Sequence, residues 1–397
     1  MVIRREFLKQ SLLFSAAIAS GIKFISMPAY AGGKHWDRTL VLLELKGGND
    51  GLNTLVPYTD EEYYNLRPTL GIKRDNIIQI SDKIGLHPAC SDLKTFWDNK
   101  EMAVIQGVGY PNPNLSHFRG INIWNSGSDS SDYIDEGWIA RLFSESRPNE
   151  EFAADGINLG QNPAGAITGN GAKLITLGKK PDKTLKQASR IRPGNSAMAN
   201  KALGHILKQR RDLRGAADNI VEKQIKNIDL SGVFAKTKLG NQFETTARLL
   251  IAGVKVPVIK LMIDGFDTHA EQEPLHSQLL NDVAKNIKIF KKVMKAENLW
   301  NRVTVMSYSE FGRRPAENNS SGTDHGTAAP QFLFGGRIKG GFYGKQPNLN
   351  DLENKNLKHH VHFREIYASV ARDWWGLKAN FIKEKSLILS SIIWCAF

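Results

Sequence analysis

VTVMSYSEFGR, residues 303–313, and GTDHG, residues 322–326, decide how this chain is interpreted. The first stretch opens on an apolar run with the composition of a buried strand. Two acidic groups and a histidine follow in Gly-containing loops, and carboxylates and imidazoles are the ligands that divalent metal ions take from proteins. The two stretches therefore predict half of a metal site after a strand, formed by Glu310, Asp324 and His325.

The N-terminus has the form of a twin-arginine export signal. Arg4-Arg5 precedes a mildly apolar stretch from Ser11 to Ile25, and Ala29-Tyr30-Ala31 is a small-x-small cleavage site. The apolar stretch is too short and too interrupted to be a stable membrane span. We therefore expect residues 1–31 to be a signal peptide that engages the twin-arginine translocase. We expect the mature chain to be periplasmic or extracellular, with no stable membrane span.

The charge of the chain favours anionic partners. The formal net charge is +13, and a signal peptide of +3 would leave +10 on residues 32–397. Such a surplus suits an anionic substrate or an anionic envelope surface, and the predicted export argues against nucleic acid. Alternatively, the surplus positive charge is explained by runs of lysine that are exposed to water and bind no partner.

Two cysteines, Cys90 and Cys395, are far apart in the sequence. An oxidising compartment would allow a disulfide between them, but two buried free thiols are an equally good interpretation, because the separation of the two residues in space is unknown. The sequence alone leaves both alternatives open.

Apolar runs rich in β-branched residues alternate with helical patterns, which is typical of a parallel sheet covered by helices. The predicted fold class is α/β, with a mostly parallel central sheet and helices on both faces. We expect one domain over residues 32–397, with an inserted or cap segment at about 150–253, where Gly, Lys and Asn are frequent. A two-domain organisation with a boundary near Glu150 is the alternative. Strands are predicted at 39–45, 102–108, 256–263 and 303–306, and helices at 89–99, 195–227, 242–250, 275–298 and 362–376.

Polar side chains follow each of these predicted strands. In open parallel sheets the ligand crevice lies outside the carboxyl ends of the strands, so side chains from distant parts of the sequence can converge there. The residues expected to converge are Asp50, Ser116, Asp267, His269, Glu310, Asp324 and His325.

Three of these residues have a structural alternative. Asp50 could stabilise its Gly-rich turn through hydrogen bonds to the backbone instead of binding a metal. Ser116 could cap the helix that follows it, or it could be a nucleophile at a helix N-terminus, which stabilises developing negative charge. Glu310 could pair with Arg313 and thereby order the loop.

Several motifs in this order resemble the exported bacterial DUF1501 family. They are LELKGGNDGLN at 43–53, GVGYP at 107–111 with NLSHF at 114–118, GFDTH at 265–269, SEFGR at 309–313, GTDHG at 322–326 and GGFYG at 340–344. That family is similar, more distantly, to the alkaline phosphatase and sulfatase superfamily. The resemblance implies an alkaline-phosphatase-like α/β fold and a site for one or two metal ions. It also implies hydrolysis of phosphate or sulfate esters through a nucleophile at a helix N-terminus.

We therefore predict an exported metal-dependent hydrolase whose substrate is an anionic small-molecule or glycan ester. Ser116 would be the nucleophile, and Arg313, with His117 or Asn114, would bind the ester, because a guanidinium fork matches a tetrahedral oxyanion. Mixed carboxylate and imidazole ligation favours zinc or manganese. The expected ligands are Asp50, Asp267, His269, Glu310, Asp324 and His325.

Two other functions are compatible with the same scaffold. One is a non-catalytic exported binding protein, and the other is an envelope assembly factor; in both, the metal would be structural. Ester hydrolysis that a chelator abolishes would separate the hydrolase from these alternatives.

Overall fold

The computed structural model describes residues 34–146, 152–160, 164–169, 172–178, 181–191, 201–223, 225–382 and 392. The predicted signal peptide and Cys395 lie outside the described residues. Cys90 is a free thiol whose burial raises its pKa to about 12. Within the described part of the chain, no helix is both long enough and apolar enough to cross a membrane.

The central sheet is mostly parallel, as predicted. Its strand order is β11-β5-β10-β9-β1-β8-β6-β7, and β14 also pairs with β5. Only β10, among these described strands, runs antiparallel to its neighbours. A second sheet has the order β2-β4-β3, and β12 and β13 form a hairpin. The strands are β1 Thr39–Lys46, β2 Leu55–Val56, β3 Ile78–Gln79, β4 Gly85–Leu86, β5 Met102–Gly109, β6 Gly156–Asn158, β7 Leu174–Thr176, β8 Val258–Asp264, β9 Val303–Tyr308, β10 Ala329–Gly335, β11 Gly341–Gly344, β12 Leu352–Glu353, β13 Asn356–Leu357 and β14 Val361–His362.

Strand β10 is absent from the sequence-based prediction. It contains Pro330, which has no N–H to donate to a sheet and therefore argues against an interior strand. The structure accommodates this residue at a register shift, where the pairing of β10 with β5 moves between Ala329 and Gln331. A bulge leaves a residue outside the ladder, so the strand tolerates proline at this position.

Helices cover both faces of the sheet. They are α1 Gly51–Thr54, α2 Glu61–Leu66, α3 Lys94–Asp98, α4 His117–Ser126, α5 Trp138–Glu145, α6 Pro181–Ala188, α7 Lys201–Glu222, α8 Lys238–Ile251, α9 Gln272–Ala296 and α10 Phe363–Ser369. A 3₁₀ segment, Pro88–Leu93, precedes α3, so the helix predicted at 89–99 is divided in two. A π-helical segment, Val370–Trp374, continues from α10.

The alternation of side chains along β1 builds two hydrophobic layers. Leu40 and Leu42 pack in the layer covered by α4, α5 and α10, whereas Val41, Leu43 and Leu45 pack in the layer covered by α8 and α9. Successive side chains of a strand point to opposite faces, so a strand that is apolar at both sets of positions must be covered on both sides. This confirms the predicted arrangement of helices on both faces.

Part of the segment at about 150–253 belongs to the central sheet. Strand β6 pairs with β8, and β7 pairs with β6, both in parallel. Helix α8, also from this segment, contributes Phe243 and Ala247 to the hydrophobic layer that α9 shares. The segment thus supplies strands as well as covering helices, and its origin as an insertion stays a prediction.

A buried ion pair links β1 to β8. Lys260 Nζ lies 2.6 Å from Glu44 Oε2, and both side chains are 2% exposed. The hydroxyl of Tyr308 in β9 donates to the same carboxylate at 3.2 Å. Because burial removes both charges from water, either charge would be strongly destabilising without the other.

A second buried network connects the loops at the carboxyl end of the sheet. Arg67 donates to both carboxylate oxygens of Asp50, at 2.6 and 3.0 Å, and Gln272 donates to Oδ2 at 2.5 Å. The amide oxygen of Gln272 accepts from the hydroxyls of Thr268 and Thr323, at 2.9 and 2.6 Å. The first residue of α9 therefore joins the loops that follow β1, β8 and β9.

Burial controls the titration of this network. It opposes ionisation of Asp50, but the charge and hydrogen bonds of Arg67 outweigh it and lower the pKa of the carboxyl to about 2. His276 in α9 is also buried and lies 3.0 Å from Asn49 Oδ1. Burial lowers the pKa of this imidazole to about 4, because the charged form loses its hydration.

Replacement of Glu44 by Ala should destabilise the fold strongly. Glu44→Ala removes the carboxylate that faces the buried Lys260 ammonium, so we expect the free energy of unfolding to fall by about 3–5 kcal/mol in urea titrations. The matched control is Glu44→Leu with Lys260→Met, which removes both charges at similar volume and should recover most of the loss. Equal destabilisation of the single and double variants would show that the ion pair is not the cause.

Acid should destabilise the protein in two windows. Between about pH 6.5 and 4, His276 is protonated in the unfolded chain but stays neutral in the folded chain. The free energy of unfolding therefore falls as the pH drops. Asp50 adds stability above its unfolded pKa of 3.8, and this is lost as the pH falls towards 2. His276→Gln cannot titrate, so the slope of unfolding free energy against pH between 6.5 and 4 should decrease by up to about 1.4 kcal/mol per pH unit. Urea titrations across this range measure it, and an unchanged slope would contradict the assignment to His276.

Candidate metal centre

Three loops meet at the carboxyl end of the sheet and bring together His117, Asp267 and His325. These residues come from the start of α4, the loop after β8 and the loop after β9. Each offers one ligand atom, and the three atoms all lie within 4.8 Å of one another. The Nε2 atoms of both histidines are 3.2 Å from an oxygen of Asp267.

The orientation of His325 is determined by a backbone carbonyl. Its Nδ1 lies 2.8 Å from the carbonyl oxygen of Leu115, which can only accept, so Nδ1 carries the proton. Burial lowers the pKa of His325 and thereby favours the neutral imidazole. In that form the lone pair of Nε2 faces Asp267 Oδ1 at 3.2 Å and His269 Nε2 at 3.0 Å.

His117 is oriented by a buried carboxylate. Its Nδ1 lies 2.8 Å from Oε1 of Glu310, which is 1% exposed and also accepts from the amide of Gly47 at 2.9 Å. The hydrogen bond to Glu310 raises the pKa of His117. The opposite nitrogen, Nε2, is shielded from solvent and makes no hydrogen bond to the described residues, although Asp267 Oδ2 is 3.2 Å away.

These contacts make the cluster fit a divalent metal ion. Each histidine has its Nδ1 engaged by an oxygen of the protein, and its Nε2 is directed towards the Asp267 carboxylate. Ligands of a tetrahedral zinc ion are about 3.3 Å apart, given bond lengths of about 2.0–2.1 Å. His117 Nε2 lies 3.2 Å from Asp267 Oδ2, and His325 Nε2 lies 3.2 Å from Asp267 Oδ1, so each of these two pairs has this spacing. Two histidines and one carboxylate are also a ligand set of catalytic zinc sites.

An aromatic ring and two glycines shape the base of the cluster. The Phe311 ring packs against the imidazoles of His117 and His325, with centroid separations of 4.9 and 4.6 Å. A Cβ atom at Gly48 would lie 2.6 Å from this ring, and one at Gly47 would lie 2.3 Å from the backbone nitrogen of Asp267. Both glycines have positive φ, so the Gly-Gly pair lets β1 end directly beneath the cluster.

Arg313 does not have the role predicted for it. Its side chain is fully buried, and all three guanidinium nitrogens donate within the protein. The acceptors are the carbonyl oxygens of Gly47, Gly48, Phe266 and Thr323, together with Asp267 Oδ1 at 2.6 Å. Arg313 therefore clamps the loops and orients Asp267 instead of binding an ester. Burial opposes ionisation of Asp267, but the hydrogen bond and charge of Arg313 outweigh it and lower the pKa to about 2.

The six predicted metal ligands separate into two groups. Asp267, His269 and His325 come together, and Asp324 lies next to them, with its Oδ1 3.4 Å from Nδ1 of His269. Asp50 and Glu310 are not among the atoms of the cluster. The carboxylate of Asp50 is engaged by Arg67 and Gln272, and that of Glu310 positions His117. His117, predicted to bind substrate, lies among the three residues that could hold a metal ion.

Ser116 does not cap its helix through its side chain. It occupies the N-cap position of α4 and is exposed, but its hydroxyl accepts no hydrogen bond from the amides of the first turn. The predicted substrate-binding residue Asn114 accepts instead from the Ser116 amide, at 3.0 Å. Ser116 lies between Leu115, which holds His325, and His117, so its backbone is fixed beside the cluster.

Sequence reasoning missed Arg67 and Gln272, which hold Asp50. Gln272 lies three residues after the GFDTH motif, at the start of α9, and that position is the one signal that could have identified it. No local pattern indicates Arg67, because its acceptors include the carbonyl oxygens of Arg314 and Pro315, which are distant in the sequence.

Several solved structures are similar to this chain at low sequence identity. The lipoteichoic acid synthase LtaP from Listeria monocytogenes is 9% identical over 82% of this chain and 72% of that chain, with a TM-score of 0.36. A protein in the alkaline phosphatase superfamily from Vibrio parahaemolyticus is 13% identical over 79% and 64%, with a TM-score of 0.36. The C-terminal periplasmic domain of EptC from Escherichia coli, solved with zinc, is 11% identical over 77% and 74%, with a TM-score of 0.33. A likeness at this level indicates neither an activity nor a ligand.

Sequence comparison is more decisive about the family. No curated protein matches the chain. The family described as "Protein of unknown function (DUF1501)" matches residues 37–374, which include the sheet and all the residues of the cluster. The chain therefore belongs to the DUF1501 family.

Proposed function

We propose that this protein is a metal-dependent hydrolase of phosphate or sulfate esters. The observation that carries the proposal is the convergence of His117, Asp267 and His325, with both imidazoles oriented by a hydrogen bond on their far side. Such outer hydrogen bonds are the usual support of metal-binding histidines. The surplus positive charge of the chain supports an anionic substrate.

Three residues of the cluster would bind the metal ion. His117 and His325 would offer Nε2, and Asp267 would offer its carboxylate to one divalent ion, with zinc or manganese favoured by this ligand set. His269 and Asp324, both about half exposed, border the cluster where a further ligand or a substrate would approach. When bound, the ion would polarise an ester oxygen and lower the pKa of a neighbouring hydroxyl.

Ser116 is the nucleophile in this proposal. Its Oγ would attack the phosphorus or sulfur atom and lose its proton, while the bond to the alcohol oxygen breaks and the alcohol leaves with a proton. Water would then attack the seryl ester, release phosphate or sulfate, and restore the hydroxyl. The backbone amides at the start of α4, which the N-cap side chain does not engage, favour negative charge at this position.

The proposal also includes export by the twin-arginine route, which rests on Arg4-Arg5 and Ala29-Tyr30-Ala31 in the sequence. An exported binding or assembly protein with a structural metal shares all these features except hydrolysis. Activity measurements therefore separate the two functions.

Loss of a cluster histidine should weaken metal binding. The affinity of the purified protein for zinc, measured by competition with a chelating dye, should fall by about 100-fold or more in His117→Ala or His325→Ala. Glu310→Gln should lower it by about 10–100-fold, because the residue orients a ligand without being one. His360→Ala alters an exposed histidine away from the cluster and should have no effect. Unchanged affinity in both cluster variants would overturn the assigned site.

Ser116→Ala should abolish hydrolysis of p-nitrophenyl phosphate or p-nitrophenyl sulfate by the zinc- or manganese-loaded protein. Zinc affinity and the thermal unfolding temperature should stay unchanged, because the Ser116 hydroxyl makes no cap hydrogen bond. Ser91→Ala, at another exposed serine, is the matched control. Full activity of Ser116→Ala would exclude the nucleophile. A wild-type protein that binds zinc but cleaves neither ester with zinc, manganese or magnesium would favour the binding protein.

A further inference from the structure

Arg314 is a second arginine beside the metal centre, and its side chain is used differently from that of Arg313. Its backbone is held on both sides: the amide donates to the carbonyl oxygen of Asp324 at 2.9 Å, and the carbonyl accepts from Arg67 at 3.1 Å. The side chain is half-buried. Within the part of the chain that the structure describes, its guanidinium makes no hydrogen bond and no ion pair, and its Nε is shielded from solvent.

The local backbone pairing places Arg314 next to the cluster. Residues 312–314 run antiparallel to residues 324–326, with Arg313 opposite His325 and Arg314 opposite Asp324. Directly opposed residues have Cβ atoms about 4.5–5.5 Å apart. Asp324 in turn contacts His269, whose Nε2 is 3.1 Å from Asp267 Oδ1. The side chains of Asp324 and His269 therefore lie between Arg314 and the Asp267 carboxylate.

The neighbouring carboxylate does not neutralise Arg314. Asp324 bonds with Asn318 at 3.1 Å and lies 3.4 Å from His269, and it makes no ion pair with Arg314. A partly desolvated guanidinium without an internal acceptor gains most from an anion that supplies charged oxygens.

We propose that Arg314 binds the tetrahedral oxyanion of the substrate, a phosphate or sulfate group, beside the metal centre. This inference rests on the proposed function and names the residue that recognises the anionic group. The guanidinium fork matches two oxygens of a tetrahedral anion. Because hydrogen bonds already fix the backbone of Arg314, only the side chain loses conformational entropy when the anion binds, which favours affinity. Arg67 and Arg313, by contrast, donate to internal acceptors.

The test measures binding of inorganic phosphate and of inorganic sulfate to the zinc-loaded protein by isothermal titration calorimetry at low ionic strength. Arg314→Gln removes the charge and keeps a polar side chain, and Arg314→Lys keeps the charge without the fork. We expect the dissociation constant for the preferred anion to rise about 10–100-fold in Arg314→Gln and less in Arg314→Lys, as for loss of a charged hydrogen bond. The anion that binds more tightly to the wild type indicates the ester class.

Three controls make the result specific. Arg302→Ala removes an exposed arginine just before β9, at the opposite end of the strand, and should leave phosphate binding unchanged. Zinc affinity and the unfolding temperature of Arg314→Gln should equal those of the wild type. If a p-nitrophenyl ester is cleaved, KM should rise in this variant while kcat changes little, because Arg314 holds the anion and Ser116 attacks it.

The outcomes separate this inference from the proposed function. Anion binding that depends on Arg314 in a protein that cleaves no ester would support the inference and contradict the hydrolase. If Arg314→Gln binds phosphate as tightly as the wild type does, and also binds sulfate as tightly, the inference is overturned even if esters are cleaved. A loss of zinc affinity or of thermal stability in Arg314→Gln would also overturn it, because Arg314 would then be a structural residue.

Discussion

The buried guanidinium of Arg313 is the interaction on which the rest of this site depends. It draws together carbonyl oxygens from the loops after β1, β8 and β9, and it pairs with Asp267. A buried cation is strongly unfavourable unless its donors are satisfied, so the loops can close only in the arrangement that supplies these acceptors. The positions of Asp267 and of the backbone bridge to His325 follow from this closure.

The charged groups in and around the cluster fall into two sets, one buried and one accessible. Asp50, Arg67, Glu310 and Arg313 are buried and use their polar atoms to hold loops and to orient other side chains. The groups left for chemistry lie at the surface of this framework and are partly exposed: His117, Asp267, His325 and Arg314. Groups of the first kind provide preorganisation, which is what a metal or anion site needs in order to bind without reorganising.

The same framework serves a hydrolase or a binding protein. Orientation of His117 by Glu310 and of His325 by the Leu115 carbonyl is required for any tightly bound metal ion. Catalysis needs in addition an accessible nucleophile and a means of holding the ester. The proposal of a hydrolase depends on two features, the uncapped hydroxyl of Ser116 and the clamped Arg314.

The sequence by itself determined the α/β architecture, and it predicted a site at the carboxyl end of the sheet. Long apolar strands such as Thr39–Lys46, and polar motifs directly after them, predict a parallel sheet with a crevice at its carboxyl end. Strand β10 escaped prediction because Pro330 resembles a breaker until the bulge that accommodates it is seen. Only the tertiary structure decided which residues face the cluster. Gln272, 222 positions away, engages the carboxylate of Asp50, so this carboxylate is not part of the cluster. Carbonyl oxygens up to 266 positions away engage the guanidinium of Arg313. These partners meet only when the loops close, so local sequence cannot distinguish a metal ligand or an anion-binding arginine from a buried clamp.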